Sequence, residues 1–190
     1  MTNYSSGHID VCLFQGNTAL TGGALFLNLQ SPTQITGCTF EANTAQDGGA
    51  IGTCNSCLPQ ISECTFVHNS AATGSSVHWG VACNGTLHNC ILAYGLQSNA
   101  VACAGATPVI YHNLVWSNGS ENLLCGNYYE NIYLNPQFCG VANNGPYTLQ
   151  SDSPAAPANN AYGEIMGAWP VDCGDAASTP LDWSAVKRRY

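Results

Sequence analysis

The first 186 residues of this 190-residue chain contain no lysine or arginine, and all three basic residues lie in the last four positions. Eleven acidic residues give a formal net charge of -8. Nucleic-acid binding relies on basic side chains that neutralise phosphates, so the composition excludes it. No apolar run approaches the roughly 20 residues of a membrane span, and no basic face is available to bind anionic lipids.

A secretory leader is also missing, since residues 1–7 have neither a charged start nor an apolar stretch. The chain nevertheless contains 11 cysteines, and heavy cysteine use with almost no lysine is typical of an oxidising environment. We therefore predict an extracellular or cell-surface protein. Its signal peptide is not in this chain, either because it has been removed or because the chain is part of a longer secreted protein.

A repeat organises the first half of the chain, and its period is 26 residues. Three kinds of side chain recur at this interval: Cys12, Cys38, Cys64 and Cys90; Phe14, Phe40 and Phe66; and Asn17, Asn43 and Asn69. A weaker copy starts at Asn113, which follows Cys90 after a slightly shorter interval. Fixed-period similarity of this kind indicates a repeat architecture, in which each unit stacks on the previous one.

The repeat predicts strands rather than helices. Each Cys-x-Phe step alternates like a half-buried strand, and the Gly48-Gly-Ala-Ile51 type of motif opens a second short strand after a turn. No window offers a helix of about ten residues with apolar spacing of three and four. We predict an all-β, right-handed parallel β-helix of about five turns over residues 1–134, closed by an irregular capping segment of the same domain over residues 135–190.

Stacked units place identical side chains in ladders about 4.8 Å apart. We expect the phenylalanines to form an apolar column inside and the asparagines to hydrogen-bond their neighbours and the bent backbone at a corner. The cysteine ladder is predicted to be mainly buried thiols, because a disulfide prefers a Cβ separation of about 3.8 Å.

The remaining cysteines suggest disulfides between loops. Cys57 follows Cys54 in a Cys-x-x-Cys motif and precedes Cys83 by one full repeat, so its partner is predicted to be one of these two. Cys103 and Cys125 close the equivalent stretch of successive units and are predicted to pair in the same way.

No catalytic, cofactor or metal site is evident in the repeats. None of the acidic residues before position 150 shares a column with another, and the five histidines are scattered. Aromatic residues become frequent late in the chain and form either a sugar-stacking strip on the flank or the packing of the last turns: Tyr111, Trp116, Tyr128 and Tyr129. Two N-glycosylation motifs begin at Asn84 and Asn118.

The Phe-x-x-Asn and Gly-Gly-Ala-Ile motifs over residues 9–77 resemble the repeats of polymorphic outer membrane proteins, which are autotransporter adhesins with β-helical passengers. The segment from Asn135, with Ser153-Pro154 and Ile165-Met-Gly-Ala168, resembles the closing unit of secreted bacterial pectin-lyase-like β-helix proteins. One disulfide of that group is missing here, and the resemblance implies that Cys139 and Cys173 form the remaining pair.

The open end of such a stack suggests the function. The N-terminal rung shows no amphipathic helix that would cover it, and an unpaired rung pairs readily with further chain. We therefore expect a structural or adhesive protein, a homo-oligomer or filament formed by end-to-end stacking. The alternative is a carbohydrate-binding module or a polysaccharide-degrading enzyme of the pectin-lyase-like fold, whose partner would be a cell-surface polysaccharide.

Overall fold

The computed structural model describes residues 7–30, 32–119, 122–140 and 146–173. These residues form an all-β, parallel β-helix of about four turns, which confirms the predicted fold class. The chain visits the same sheets in the same order on each turn. The predicted five turns become about four because the fifth turn has strands in two sheets only. No helix in the described ranges is long and apolar enough to cross a membrane.

Four parallel sheets form the walls of the β-helix, and every strand has three or four residues. Sheet I consists of β1 (His8–Asp10), β4 (Gln34–Thr36), β8 (Gln60–Ser62), β12 (Thr86–His88), β15 (Val109–Tyr111) and β17 (Asn127–Tyr129). Sheet II consists of β2 (Leu13–Gln15), β5 (Thr39–Glu41), β9 (Thr65–Val67), β13 (Ile91–Ala93) and β16 (Leu114–Trp116). Sheet III consists of β6 (Thr44–Asp47) and β10 (Ser70–Thr73). Sheet IV consists of β3 (Leu25–Leu27), β7 (Ile51–Thr53), β11 (Val77–Trp79) and β14 (Val101–Cys103).

The strand register reproduces the sequence repeat and builds the core. Ile35 pairs with Ile61, and Phe40 pairs with Phe66, so each residue lies beside its equivalent in the next repeat. The Phe40 ring stacks on Phe66 at 4.8 Å and on Phe14 at 5.0 Å, with interplanar angles of 5°. Phe40 and Phe66 have no exposed surface. The central column of the core is therefore a continuous stack of rings.

The polar columns satisfy the backbone at the corners. Asn43 Nδ2 donates to Asn69 Oδ1 at 3.0 Å and to the Phe14 carbonyl at 2.9 Å. The Asn43 backbone N–H also donates to Asn69 Oδ1, at 3.0 Å. Both asparagines are completely buried. An amide side chain is suited to this position because it donates and accepts at the same time.

The cysteine column consists of thiols, and its members are buried except for the first. The Cys64 backbone N–H donates to Cys90 Sγ at 3.4 Å, and the Cys12 backbone N–H donates to Cys38 Sγ at the same distance. Asn113 continues this column on the fifth turn, where its Oδ1 accepts from the Cys90 N–H at 2.9 Å. Contact with the Cys64 thiol, together with burial, raises the pKa of Cys38, so this thiol stays protonated at neutral pH.

The prediction of a disulfide at Cys57 is wrong. Cys57 and Cys83 both have thiols, and the Cys57 backbone N–H donates to Cys83 Sγ at 3.3 Å. The local alternative is wrong too, since Cys57 Sγ donates to the Cys54 carbonyl at 3.0 Å. Cys57 and Cys83 repeat the geometry of the main column, in which stacked Cβ atoms lie too far apart for a disulfide.

Two disulfides are present, and both lie outside the regular columns. Cys103 is bonded to Cys125, and Cys139 is bonded to Cys173. The first joins the last strand of sheet IV to the loop above it. The second joins two parts of the C-terminal segment. Both pairs agree with the pairing expected from the sequence.

The described part of the C-terminal segment packs against a flank of the β-helix. Over residues 146–173 it packs on the outer face of sheet II, where Ile91 and Leu114 are buried beneath it. Trp169 Nε1 donates to Thr39 Oγ1, and the Ala168 N–H donates to Thr65 Oγ1, both at 2.9 Å. The segment lies there because sheet II has apolar residues on its outer face, and these need cover from water.

Candidate functional site

Two residues join sheets I and II on each turn, and the first of them has positive φ. These first residues, together with Glu130 after β17, form the corner column. Such a conformation turns the chain sharply within one residue and directs the side chain outward. The members of the corner column are Val11 (φ 48°), Gly37 (61°), Glu63 (52°), Asn89 (52°), His112 (52°) and Glu130 (53°). The fold therefore collects titratable side chains along one edge of the solenoid.

His112 is the centre of this edge. Its Nε2 lies 3.1 Å from Glu130 Oε2 on the next turn, and its Nδ1 lies 3.5 Å from Glu164 Oε2 on the C-terminal segment. The second contact is at ion-pair distance but outside hydrogen-bond geometry. The Tyr162 ring stacks on the imidazole at 3.9 Å. The side chain of His112 is 20% exposed, against 59% for Glu130 and 51% for Glu164, so both carboxylates remain open to solvent.

A ladder of aromatic rings lies beside this edge, on the outer face of sheet I. The Tyr111 ring stacks on His88 at 4.9 Å and on Tyr129 at 5.4 Å, with interplanar angles of 7° and 6°. Both faces of Tyr111 are therefore covered by neighbouring rings. In the described part of the chain, His88 and Tyr129, at the two ends of the ladder, each have a stacked ring on one face only.

Burial in this ladder shifts two pKa values. Desolvation lowers the pKa of His88, although the negative charges of Glu164 and Glu63 oppose the shift. Desolvation also raises the pKa of Tyr111, and the neighbouring Tyr129 adds to this rise. At neutral pH both side chains are held in the uncharged form.

The four aromatic residues predicted to form one strip do not share a surface. Tyr111 and Tyr129 lie together on sheet I. Trp116 packs in the apolar cluster under the C-terminal segment. Tyr128 pairs with Ile110 in the inward column, but 51% of its surface is exposed because the column ends there. No one strip holds all four, because Trp116 lies on sheet II and the adjacent residues Tyr128 and Tyr129 point to opposite faces of sheet I. Trp116 follows the alternative expectation, packing of the last turns.

The acidic residues are better organised than the sequence suggested. The expectation that no two of them share a column is wrong, because Glu63 and Glu130 both belong to the corner column. The regular spacing of the earlier repeats hid this relation, since Asn113 stacks on Asn131 only 18 residues later. Glu164 lies outside the repeat, so no spacing rule assigned it to this edge.

The edge is suited to binding hydroxyl groups. Two solvent-open carboxylates accept hydrogen bonds, and the phenols of Tyr111 and Tyr129 both donate and accept. Among the described residues, no three His, Cys, Asp or Glu side chains come together in an arrangement for holding a metal ion.

The two ends of the β-helix form a second candidate surface. At the first end, the outermost strands β1, β2 and β3 leave their inward apolar side chains only half-buried: Ile9, Phe14 and Leu25. Apolar side chains on the outer faces of β2 and β3 and in the loop between these strands are also exposed: Leu13, Phe26 and Leu20 (72% exposed). At the last end, the corresponding exposed side chains are Leu123, Tyr128, Tyr133 and Leu134 (56% exposed). Exposed apolar surface of this kind makes the two ends candidates for an interaction site.

No protein-family model matches the chain, and no curated protein or solved structure matches it either. The description of both surfaces therefore depends on the residues of this chain alone.

Proposed function

We propose that this protein is a non-catalytic structural or adhesive β-helix of the extracellular space, and that its copies associate end to end into fibres. The exposure of apolar residues at both ends, while the C-terminal segment occupies a flank, carries the proposal. A contact between two unlike ends does not close on itself, so it builds filaments. The two disulfides support a place outside the cytoplasm.

The columns of the two ends complement each other. If the register of sheet I continued into a second copy, Tyr128 would lie on Ile9 of that copy, because both belong to the column of Ile35 and Ile110. In sheet II, Tyr133 would lie on Phe14 in the same way. Both contacts bury apolar surface that is exposed at the end of a single copy.

The backbone of sheet II also has the pattern needed to continue. Within the chain, the Thr39 N–H donates to the Cys12 carbonyl at 2.8 Å, and the Ile132 N–H donates to the Asn113 carbonyl at 2.7 Å. The equivalent bond across the junction would run from Leu13 of the second copy to the carbonyl of Asn131. β1 and β2 are edge strands, and edge strands pair readily with another chain.

Charge acts against association, but not at the junction itself. The same register would put Asp10 of the second copy against Tyr129, and Val11 against Glu130, so no two acidic side chains would meet directly. The net charge of -8 makes whole copies repel one another. Salt screens this repulsion, so association should become stronger as the ionic strength rises.

The sequence motifs support the adhesive role. The Phe-x-x-Asn repeats, of which Phe40 and Asn43 are an example, resemble those of polymorphic outer membrane proteins. The segment from Asn135 resembles the closing unit of pectin-lyase-like proteins. We therefore also propose that the protein is a secreted β-helix like the proteins that these motifs resemble.

Sedimentation velocity over a wide range of protein concentration, with electron microscopy of the concentrated samples, tests the proposal. The wild-type chain should form a concentration-dependent series of rods. Tyr128→Asp should shorten the series, because it introduces a charge at the apolar junction. Gln60→Asp adds the same charge in the middle of sheet I and should leave the series unchanged. A wild-type chain that stays monomeric at every concentration and ionic strength would overturn the proposal.

A second candidate function is carbohydrate binding at the edge, favoured by the approach of Glu130 and Glu164 to one imidazole beside Tyr129. Carboxylates that accept hydrogen bonds from sugar hydroxyls are expected to give weak, salt-insensitive binding. Affinity electrophoresis in gels containing neutral or acidic polysaccharides tests this function. Glu164→Gln should reduce the retardation, whereas Glu41→Gln on sheet II should not. Equal mobility with and without every polysaccharide would exclude it.

A further inference from the structure

The two N-glycosylation motifs of the chain lie in different environments. Asn84-Gly85-Thr86 follows the loop between sheets IV and I, and Asn118-Gly119-Ser120 follows sheet II on the fifth turn. Their sequences are nearly the same, so the sequence alone gives no reason to separate them. Ser120 lies outside the described residues.

Asn118 is part of the inner asparagine column and is 6% exposed. Its Nδ2 donates to the Leu92 carbonyl at 3.0 Å and to the Trp116 carbonyl at 3.2 Å, while its Oδ1 accepts from the Gly95 N–H at 3.0 Å. A glycan on Nδ2 would replace one of the two amide hydrogens that make these bonds, and the sugar would have to enter the core. Asn118 with a glycan is therefore incompatible with the folded chain.

Asn84 is exposed, and the hydrogen bonds that position its side chain are made by the amide oxygen. Its Oδ1 accepts from the Thr107 N–H at 2.8 Å and from Thr107 Oγ1 at 3.2 Å. The amide oxygen occupies this position because a backbone N–H is only a donor and needs an acceptor. No hydrogen bond within the described ranges uses Asn84 Nδ2 as its donor. The amide oxygen is thus fixed, and the nitrogen remains available.

The backbone next to Asn84 is firmly anchored. The Thr86 N–H donates to the Pro59 carbonyl at 2.9 Å, and the Val109 N–H donates to the Gly85 carbonyl at 3.0 Å. A Cβ atom on Gly85 would lie 2.0 Å from the Pro59 carbonyl oxygen, so only glycine fits at this position. The anchored backbone keeps Asn84 at the surface.

We propose that Asn84 is an acceptor for N-linked glycosylation and that Asn118 is not. In this reaction, Asn84 Nδ2 attacks the anomeric carbon of an oligosaccharide carried on a lipid pyrophosphate. A C–N bond forms, the bond from the anomeric carbon to the pyrophosphate oxygen breaks, the lipid pyrophosphate leaves, and the amide loses one proton. A transferase of the secretory pathway supplies both the catalysis and this donor.

The position of Asn84 leaves the other surfaces of the protein accessible. The residue lies between β11 and β12, in the middle of the stack. The corner between sheets IV and I is also separate from sheet II, which the C-terminal segment covers. A glycan at Asn84 would therefore increase the solubility of the flank without blocking either end.

Secretion of the full chain, behind a leader, from a eukaryotic cell line tests the proposal. The intact mass of the secreted protein should show one glycan per chain, and an amidase that cleaves N-glycans should remove it. Thr86→Ala should abolish the mass difference, whereas Thr86→Ser, which preserves the motif, should retain it. Ser120→Ala is the matched control and should leave the mass difference unchanged.

Peptide mapping of the secreted wild-type protein locates the glycan without relying on any variant. A glycopeptide that contains Asn84 would support the proposal. A folded, secreted chain without a glycan would overturn it, and so would a glycopeptide that contains Asn118.

Discussion

The inner and outer aromatic ladders have nearly the same spacing but different roles. Inside, Phe40 and Phe66 stack at 4.8 Å and are completely buried. Outside, Tyr111 stacks on His88 and Tyr129 at similar distances, but the ring edges face solvent beside a row of carboxylates. The strand register fixes the stacking in both places. Burial then decides whether the rings of a ladder belong to the core or present their polar groups to solvent.

The largest expected difference between the ladders concerns stability. Phe40→Ala removes a fully buried ring that has a neighbour on each face, and it should lower the free energy of unfolding by about 3–5 kcal/mol. Urea denaturation followed by circular dichroism measures this loss. Tyr111→Ala removes a ring with two stacked neighbours on the outer surface and should cost only about 1 kcal/mol. Equal losses would contradict the distinction.

Two asparagines, one buried in the inner column and one at the surface, allow the same comparison of buried and exposed positions for polar groups. Asn43→Ala removes a donor from the buried Phe14 carbonyl and the acceptor shared by the N–H and Nδ2 groups of Asn17, and it should cost about 2–3 kcal/mol. Asn55 also donates to an asparagine of the neighbouring turn, but at the surface. Asn55 also has a positive φ of 56°, where alanine is less favourable than asparagine. Asn55→Ala should therefore cost about 1 kcal/mol or less. Thermal melts of the two variants measure the difference, and a larger loss for Asn55→Ala would refute the account of the column.

The flank contact of the C-terminal segment should be weaker than either column. Trp169→Phe keeps most of the ring but removes the hydrogen bond to Thr39, so it should lower the free energy of unfolding by about 1 kcal/mol. Limited proteolysis reports the same change, since the segment should be cleaved faster. Unchanged stability and an unchanged cleavage rate would show that this bond does not hold the segment in place.

The smallest expected effect is a pH dependence from the outer ladder. Burial lowers the pKa of His88 in the folded chain below its ordinary value of 6.5. The unfolded chain therefore binds more protons just below that pH, and the free energy of unfolding should fall as the pH drops through about 6.5. His88→Phe keeps a ring in the stack and should remove this part of the pH dependence. Denaturation at several pH values measures it, and identical profiles would exclude the shift.

The repeat made most of the fold predictable. Because Phe14, Phe40 and Phe66 recur at a fixed interval, the strand register and the inner columns followed from the sequence. The disulfide predicted for Cys57 failed because a spacing of one full repeat indicates that two residues are stacked, and stacked cysteines do not bond. The spacing that places Cys57 and Cys83 in one column is therefore a reason against a disulfide between them.

The candidate site was less predictable because it depends on breaks in the repeat. The turn that ends at Glu130 is shorter than the others, which shifts this residue into the column of Glu63. Glu164 comes from a segment without a repeat, and its position depends on the apolar outer residues of sheet II, such as Ile91. Those outward apolar residues were the available sequence signal that a further segment covers this face.

Cryo-electron microscopy of concentrated wild-type protein at high ionic strength tests the central claim most directly. The account predicts rods in which the strand spacing of about 4.8 Å continues across each junction, with β17 of one copy beside β1 of the next. Copies joined side by side through sheet II, or single particles only, would contradict it.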